Sequence, residues 1–273
     1  MDLIQLKQCA LEVVRIPATQ AGAHLSPLVF LHEGLGSVAM WQSRQGFWPQ
    51  TVCQATGRAG VVYSRQGYGQ SQAIVDVRGA NRLSADYMHR QAWDVLPELL
   101  QALGIEQPVL VGHSDGGTIA LLYAARHPTS ACVVMAPHVM VEDVSITAIQ
   151  AAREAFVQGE LRQRLSRFHA NVDCAFWQWC DAWLSDGFRS FDIRALCQDI
   201  ACPVLALQGE QDAYGTLRQI EDIRPAHGRI ERHPIANCGH APHRDQPELV
   251  LENITRFLAT QWDRNQLNSP NSA

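Results

Sequence analysis

The sequence predicts an α/β fold: a mainly parallel sheet covered by helices on both faces, interrupted once by an all-helical stretch. Two observations carry this. Short apolar runs bounded by Gly and Pro alternate with segments of helical spacing, the pattern of strand–helix–strand units. In addition, Gly112-His113-Ser114-Asp115-Gly116 sets a G-x-S-x-G pentapeptide at the joint between one such run and the next helix.

Taken in order, Leu11 to Ile16 and Leu28 to Leu31 read as early strands and Val61 to Tyr63 as the next. A helix is expected from about Ala85 to Leu103: Trp93, Leu96, Leu99, Leu100 and Leu103 recur at helical spacing, and Gly104 marks its end. Val109-Leu110-Val111 is a buried strand leading into the pentapeptide, and Thr118 to Ala125 is the helix that follows. After the strand that ends near Met135 the alternation stops until Pro203. Residues 139–196 read as helices only, with segments around Ile146 to Val157, Glu160 to Ala170 and Ala175 to Leu184. Val204 to Gln208 and Arg229 to His233 are the last strands, and a helix starts near Pro247. Asn268 to Ala273 read as a frayed tail.

A serine at a strand–helix joint sits on a sharp turn that pushes its hydroxyl outward, and small neighbours let strand and helix pack closely. The first N–H groups of the helix lack internal partners and carry partial positive charge, which suits a developing oxyanion. A hydroxyl is a poor nucleophile without a base to take its proton and a third group to hold that base. Downstream, Gly209-Glu210-Gln211-Asp212 follows a strand, and Gly239-His240 lies in a loop before the last helix. Strand ends of this kind are where sites gather in open parallel sheets.

Along nearly its whole length the chain resembles the α/β-hydrolase superfamily. The resemblance rests on Leu31-His32-Glu33-Gly34-Leu35-Gly36-Ser37, Ser64-Arg65-Gln66-Gly67-Tyr68-Gly69-Gln70-Ser71, the pentapeptide, Gly209-x-x-Asp212 and Gly239-His240. It implies a mostly parallel eight-stranded sheet with a helical cap inserted after the sixth strand. On that scheme residues 1–138 and 197–273 form the core and 139–196 the cap. It also implies a Ser114–His240–Asp212 triad, with the backbone N–H groups of Asp115 and Gly34 as the oxyanion hole. The usual His-Gly pair reads His32-Glu33 here, so the donor loop departs from the pattern.

Each residue has a plainer alternative. Asp212 could be a turn former with Glu210 as the acid, but the G-x-x-D spacing favours Asp212. Among eleven histidines, His233 falls on a strand and His227 precedes it; His243 stays open beside His240, which has the sharper loop. His32 and His113 read as structural hydrogen-bonding residues, and Asp115 as an acid stabilised by a helix N-terminus. Glu33 beside an oxyanion hole would oppose the forming charge, so a salt bridge, for instance to Arg65, is expected. Phe176, Trp179 and Trp183 share one helix face, which serves packing first and substrate contact second. Arg153, Arg162, Arg164 and Arg167 read as a solvated face.

Composition narrows the rest. A chain of 273 residues that is 47% hydrophobic buries one substantial core. A net charge of −5 argues against nucleic acid as a partner. No run nears the roughly 18 apolar residues of a membrane span, and the N-terminus lacks signal-peptide features. Eight cysteines without C-x-x-C spacing read as buried thiols of a cytoplasmic protein. No metal, cofactor or partner beyond a small-molecule substrate is implied. The chemistry expected is hydrolysis of a carboxylic ester through an acyl-enzyme. The alternatives are thioester cleavage, carbon–carbon cleavage of aromatic ring-fission products, and a receptor that keeps a vestigial site.

Overall fold

The structure, a computed structural model, describes residues 1–267. The tail expected over Asn268 to Ala273 lies outside the described residues. Eight strands form the main sheet: β1 (Asp2–Gln5), β2 (Ala10–Ile16), β3 (Leu28–Leu31), β4 (Gly60–Tyr63), β5 (Val109–His113), β6 (Ala131–Met135), β7 (Val204–Gly209) and β8 (Ile230–Ile235). Their spatial order is β1-β2-β4-β3-β5-β6-β7-β8, and only β2 runs against the others. Sequence reading passed over β1 because its residues are mostly exposed and carry no apolar alternation.

Side chains alternate between the faces of the sheet, so each central strand feeds two cores. Leu28, Phe30, Val109, Val111, Leu205 and Leu207 join one cluster with Val250, Ile254 and Phe257 of the C-terminal helix (Pro247–Leu267). Val29, Leu31, Leu110, Val204 and Ala206 join the other, which also holds Leu96, Leu99 and Ile119. These last come from α1 (Leu96–Leu103) and α2 (Asp115–Ala124). The helical run that ends in α1 starts at Tyr87, and Gln91–Val95 within it is a π segment. Pro97 has no N–H to give to the preceding turn, and the ladder widens just before it.

Between β6 and β7 the chain leaves the sheet and forms α3 (Asp143–Val157), α4 (Glu160–Leu165) and α5 (Val172–Trp183). Helix α4 stops short of the expected Ala170 because the chain there bonds to the loop after β4. The amide of Ala170 donates to the Gly69 carbonyl at 2.8 Å, and His169 Nδ1 accepts from the Gly69 amide at 3.0 Å. Helix α5 starts earlier than periodicity suggests because Asn171 caps it, accepting from the Cys174 amide at 2.9 Å. The apolar face of this excursion, including Phe156, Phe176 and Trp183, packs into the same core as α1 and α2.

Candidate active site

The loops after β3, β4, β5, β6, β7 and β8 all leave the same edge of the sheet, because those six strands are parallel. The sharpest of these turns is Ser114. Its φ of 53° lies in the left-handed region, a strained conformation for a residue with a side chain. Neighbouring glycines make the turn possible: a Cβ on Gly112 would sit 2.3 Å from the Gly116 carbonyl oxygen, and one on Gly116 2.1 Å from that of Leu31. Strand, turn and helix therefore touch backbone to backbone, and the Ser114 hydroxyl is left at the sheet edge.

There it meets His240. The Nε2 of His240 lies 2.9 Å from Ser114 Oγ, and its Nδ1 lies 2.9 and 2.8 Å from the two oxygens of Asp212. Asp212 follows β7, as the strand-end argument requires. Its remaining lone pairs are filled by the Tyr214 amide at 2.8 Å and Gln208 Nε2 at 2.6 Å. Burial opposes ionisation of Asp212, but the hydrogen bond and charge of His240 and the Tyr214 amide outweigh it and hold the carboxyl below its usual range. The alternatives fall elsewhere: His243 is buried against Trp41, Trp48 and His113, and His233 lies on β8.

Gly34 and Asp115 both border the cavity in front of Ser114. A Cβ on Gly34 would meet the Trp179 indole at 2.1 Å, so any larger residue there has to push the indole aside. The Asp115 side chain turns away from Ser114 and is buried, accepting from Tyr87 Oη at 2.6 Å and Trp183 Nε1 at 3.3 Å. The main-chain N–H of Asp115 opens α2, where no helix carbonyl is available to it.

The expected Glu33–Arg65 salt bridge is not formed. Arg65 reaches under the loop to donate to the carbonyls of His32 at 2.5 Å and Glu33 at 2.9 Å, and its guanidinium lies 3.9 Å from Asp115. A buried acid competes better for a buried cation than a carboxylate at the rim of a cavity. Glu33 instead approaches His113 Nδ1 at 3.4 Å and Arg244 at 4.0 Å. His32 acts as the structural residue expected, its Nε2 accepting the Arg65 amide at 3.0 Å and its Nδ1 donating to the Glu33 carbonyl at 2.7 Å.

The cavity holds about 100 Å³ and is bordered on the insertion side by Ile149, Trp179 and Trp183. Phe176 is not on this wall; it stacks on Phe156 with ring centroids 3.7 Å apart. Four lining residues were not singled out by sequence reasoning: Leu35, His138, Ile149 and Tyr214. The Tyr214 ring sits 4.6 Å from that of His240. Burial, reinforced by the nearby His240, pushes the His138 imidazole down to about 3, so it is neutral at ordinary pH. No charged motif marks Leu35 or Tyr214. A histidine three residues after a strand, at the same sheet edge as Ser114, was a signal that could have found His138. Among the described residues no cluster of His, Cys, Asp or Glu is arranged to hold a metal ion, and no helix is long and apolar enough to cross a membrane.

Comparison with known proteins agrees with this architecture. The chain is 29% identical over 162 residues to the human serine hydrolase BPHL, covering 56% of this chain and 53% of that protein. It is 25% identical over 275 residues to the sn-1-specific diacylglycerol lipase ABHD11 of Mus musculus, covering 87% and 82%. The chain spans about half or less of the length of two curated relatives that it matches. The solved structure of MGS-M2, an alpha/beta hydrolase enzyme from a Medee basin deep-sea metagenome library, superposes with a TM-score of 0.72 at 16% identity, over 94% of this chain and 97% of that one. The family model described as the alpha/beta hydrolase family matches residues 28–253, a span that runs from β3 through the turn, or elbow, at Ser114 to the C-terminal helix. With that match over most of the chain and the sheet order described above, the protein belongs to the alpha/beta hydrolase family.

Proposed function

We propose that this protein is a serine hydrolase for small, uncharged carboxylic esters. The observation that carries the reading is the contact chain itself, Ser114 Oγ to His240 Nε2 at 2.9 Å and His240 Nδ1 to Asp212 at 2.8 Å. In the reaction Ser114 Oγ bonds to the ester carbonyl carbon while its proton passes to His240 Nε2, and Asp212 stabilises the resulting imidazolium. The carbonyl oxygen becomes an oxyanion between the N–H groups of Asp115 and Gly34, each worth about 3 kcal/mol in a preorganised site. Collapse expels the alkoxide, which takes the proton from His240. Water then attacks the acyl-enzyme by the same route, releasing acid and restoring Ser114.

Cavity size and charge support the substrate class. Drug-sized ligands occupy pockets of roughly 300–1,000 Å³, against about 100 Å³ here. That size favours a short acyl group over the long acyl chain of a lipase substrate. The lining includes Glu33 and Asp115 and no lysine or arginine, which disfavours ring-fission products bearing a carboxylate. Residues 139–196 act in this reading as a cap on a single core, because Ile149, Trp179 and Trp183 form one wall of the cavity. A cytoplasmic location is part of the proposal, supported by eight cysteines that are all free and buried.

Purified protein should hydrolyse p-nitrophenyl acetate and butyrate with kcat/KM at least about tenfold above the decanoate. It should also be labelled at Ser114 by a fluorophosphonate. Ser114→Ala should lose turnover by a factor of about 10⁴ or more while remaining folded. Retention of most activity in that variant would remove the assignment.

A further inference from the structure

We propose that His138 is a substrate-binding residue that takes a hydroxyl, so that the esters this protein selects carry an alcohol group close to the scissile carbonyl. The inference rests on the hydrolase reading for the bond that is cleaved, but not for the binding itself. It starts from an imidazole that no protein group satisfies. His138 is 3% exposed, its Nδ1 is buried without a partner, and among the described residues no hydrogen bond reaches either ring nitrogen. Of the described buried side chains with an unpartnered polar atom, it is the one that borders the cavity in front of Ser114. His243 has two such nitrogens, but it is walled in by Trp41, Trp48 and His113 and does not border that cavity.

The backbone, not the ring nitrogens, holds His138 in place. Ala136, just after β6, has a φ of 48°, in the left-handed region that a residue with a side chain enters at a cost. Beyond it the Thr118 hydroxyl accepts from the His138 amide at 2.9 Å and donates to the His138 carbonyl at 2.8 Å. Thr118 lies in the first turn of α2, so His138 is fixed relative to Ser114. The ring packs edge-on against Trp183 with centroids 4.8 Å apart and lies 5.7 Å from the His240 ring. A phenylalanine or leucine would fill that space with no nitrogen to satisfy. A partner that arrives with the substrate accounts for a histidine there.

Ring and cavity together define that partner. Burial and the nearby His240 keep the imidazole neutral, so it offers one N–H and one bare nitrogen. A hydroxyl can accept from the first or donate to the second, whichever faces it. A carboxylate can only accept, and it would join Glu33 and Asp115, which border the same cavity. A cavity of about 100 Å³ leaves room for few heavy atoms, so the hydroxyl belongs on a carbon near the carbonyl. Two positions satisfy this: the acid part, as in a 2-hydroxy acid ester, and the alcohol part, as in a glycol monoester.

Three esters of one skeleton separate these cases: ethyl propanoate, ethyl lactate with the hydroxyl on the acid, and 2-hydroxyethyl propanoate with it on the alcohol. NMR titration of the Ser114→Ala protein, which reads binding without turnover, should show one hydroxylated ester held about tenfold tighter than ethyl propanoate. With His138→Phe added, that advantage should shrink to within about twofold; the ester that gains shows which part carries the hydroxyl. In the Ser114→Ala protein the favoured ester should also move the His138 ring ¹⁵N signals further than ethyl propanoate does. Equal affinity for all three esters, or an advantage that survives His138→Phe, overturns the proposal. If the double variant fails to fold, the ring signals decide, and equal shifts with the two esters overturn it. Turnover by the wild-type protein keeps the two readings apart. Hydrolysis with no gain in binding from the hydroxyl leaves the hydrolase standing and removes this role of His138; a gain in binding without turnover does the reverse.

Discussion

The elbow at Ser114 and the insertion over it meet the same cavity but are built differently. At the elbow, side chains added to Gly112 or Gly116 would strike carbonyl oxygens of Gly116 and Leu31. At the insertion, a side chain on Gly34 would strike the Trp179 indole, and one on Gly67 the Gln178 amide and the Cys174 thiol. Backbone against backbone has no low-energy way to yield, whereas a side chain can change rotamer at modest cost. The sheet edge can therefore hold Ser114, His240 and Asp212 to fixed distances while the insertion remains free to vary the wall they face.

The contrast can be broken at its strongest point. Gly116→Ala should cost at least about 3 kcal/mol, a fall of roughly 6–12 °C in Tm for a protein of this size, or abolish soluble expression. Gly34→Ala should cost only about 1–2 kcal/mol, because the indole can shift. It should nevertheless cut kcat about a hundredfold, because the alanine keeps the proposed oxyanion donor N–H but the part of the clash taken up by the loop displaces it. Thermal melts and ester kinetics on the two variants decide the matter. Equal destabilisation would mean that the insertion is as rigid as the sheet.

A milder change sharpens the comparison. Trp179→Phe keeps an aromatic wall but withdraws the indole edge from above Gly34. Stability should fall by about 1–2 kcal/mol, and the preferred p-nitrophenyl ester should lengthen by about one or two carbons. An unchanged chain-length profile would show that the insertion does not set the acyl limit.

These two regions also differed in how far they could be read from the chain. Ser114, Asp212 and His240 were legible because each sits after a strand, and strand ends are fixed by short apolar runs and their glycines. Trp179 and Phe176 were legible as one helix face but not as different neighbours. The rise of about 1.5 Å per residue carries positions on the same face to different depths, and Phe176 ends on Phe156 while Trp179 and Trp183 reach the cavity. The salt bridge expected of Glu33 was given the wrong partner because His113 is 80 residues away in sequence and adjacent only once β3 and β5 pair. Arg65 was a reasonable local candidate, but the buried carboxylate of Asp115 drew it instead. Periodicity says which residues are apolar together; it does not say what waits across the gap.

Charge offers the smallest and last separation of the two regions. Asp212, against the sheet edge, is buried, and its carboxyl is held below the usual range despite that burial. Asp173, on the insertion, is also held low by its hydrogen bond to Arg162, but both side chains are half exposed. A carboxyl whose pKa is depressed by folding adds stability above its unfolded pKa of about 4 and loses it as pH falls through the lower folded value. Wild type and Asp212→Asn should therefore differ most in Tm near pH 7, and the gap should close as pH drops below about 4. The exposed Asp173–Arg162 pair is screened by solvent, so Asp173→Asn should track wild type within about 1 °C throughout. Melts of the three proteins from pH 7 to pH 3 measure this. Parallel curves for Asp212→Asn and wild type would mean that ionised Asp212 gives the folded protein no pH-dependent stability. The tight contact with His240 would then be maintained by the packing of the surrounding loops and not by charge.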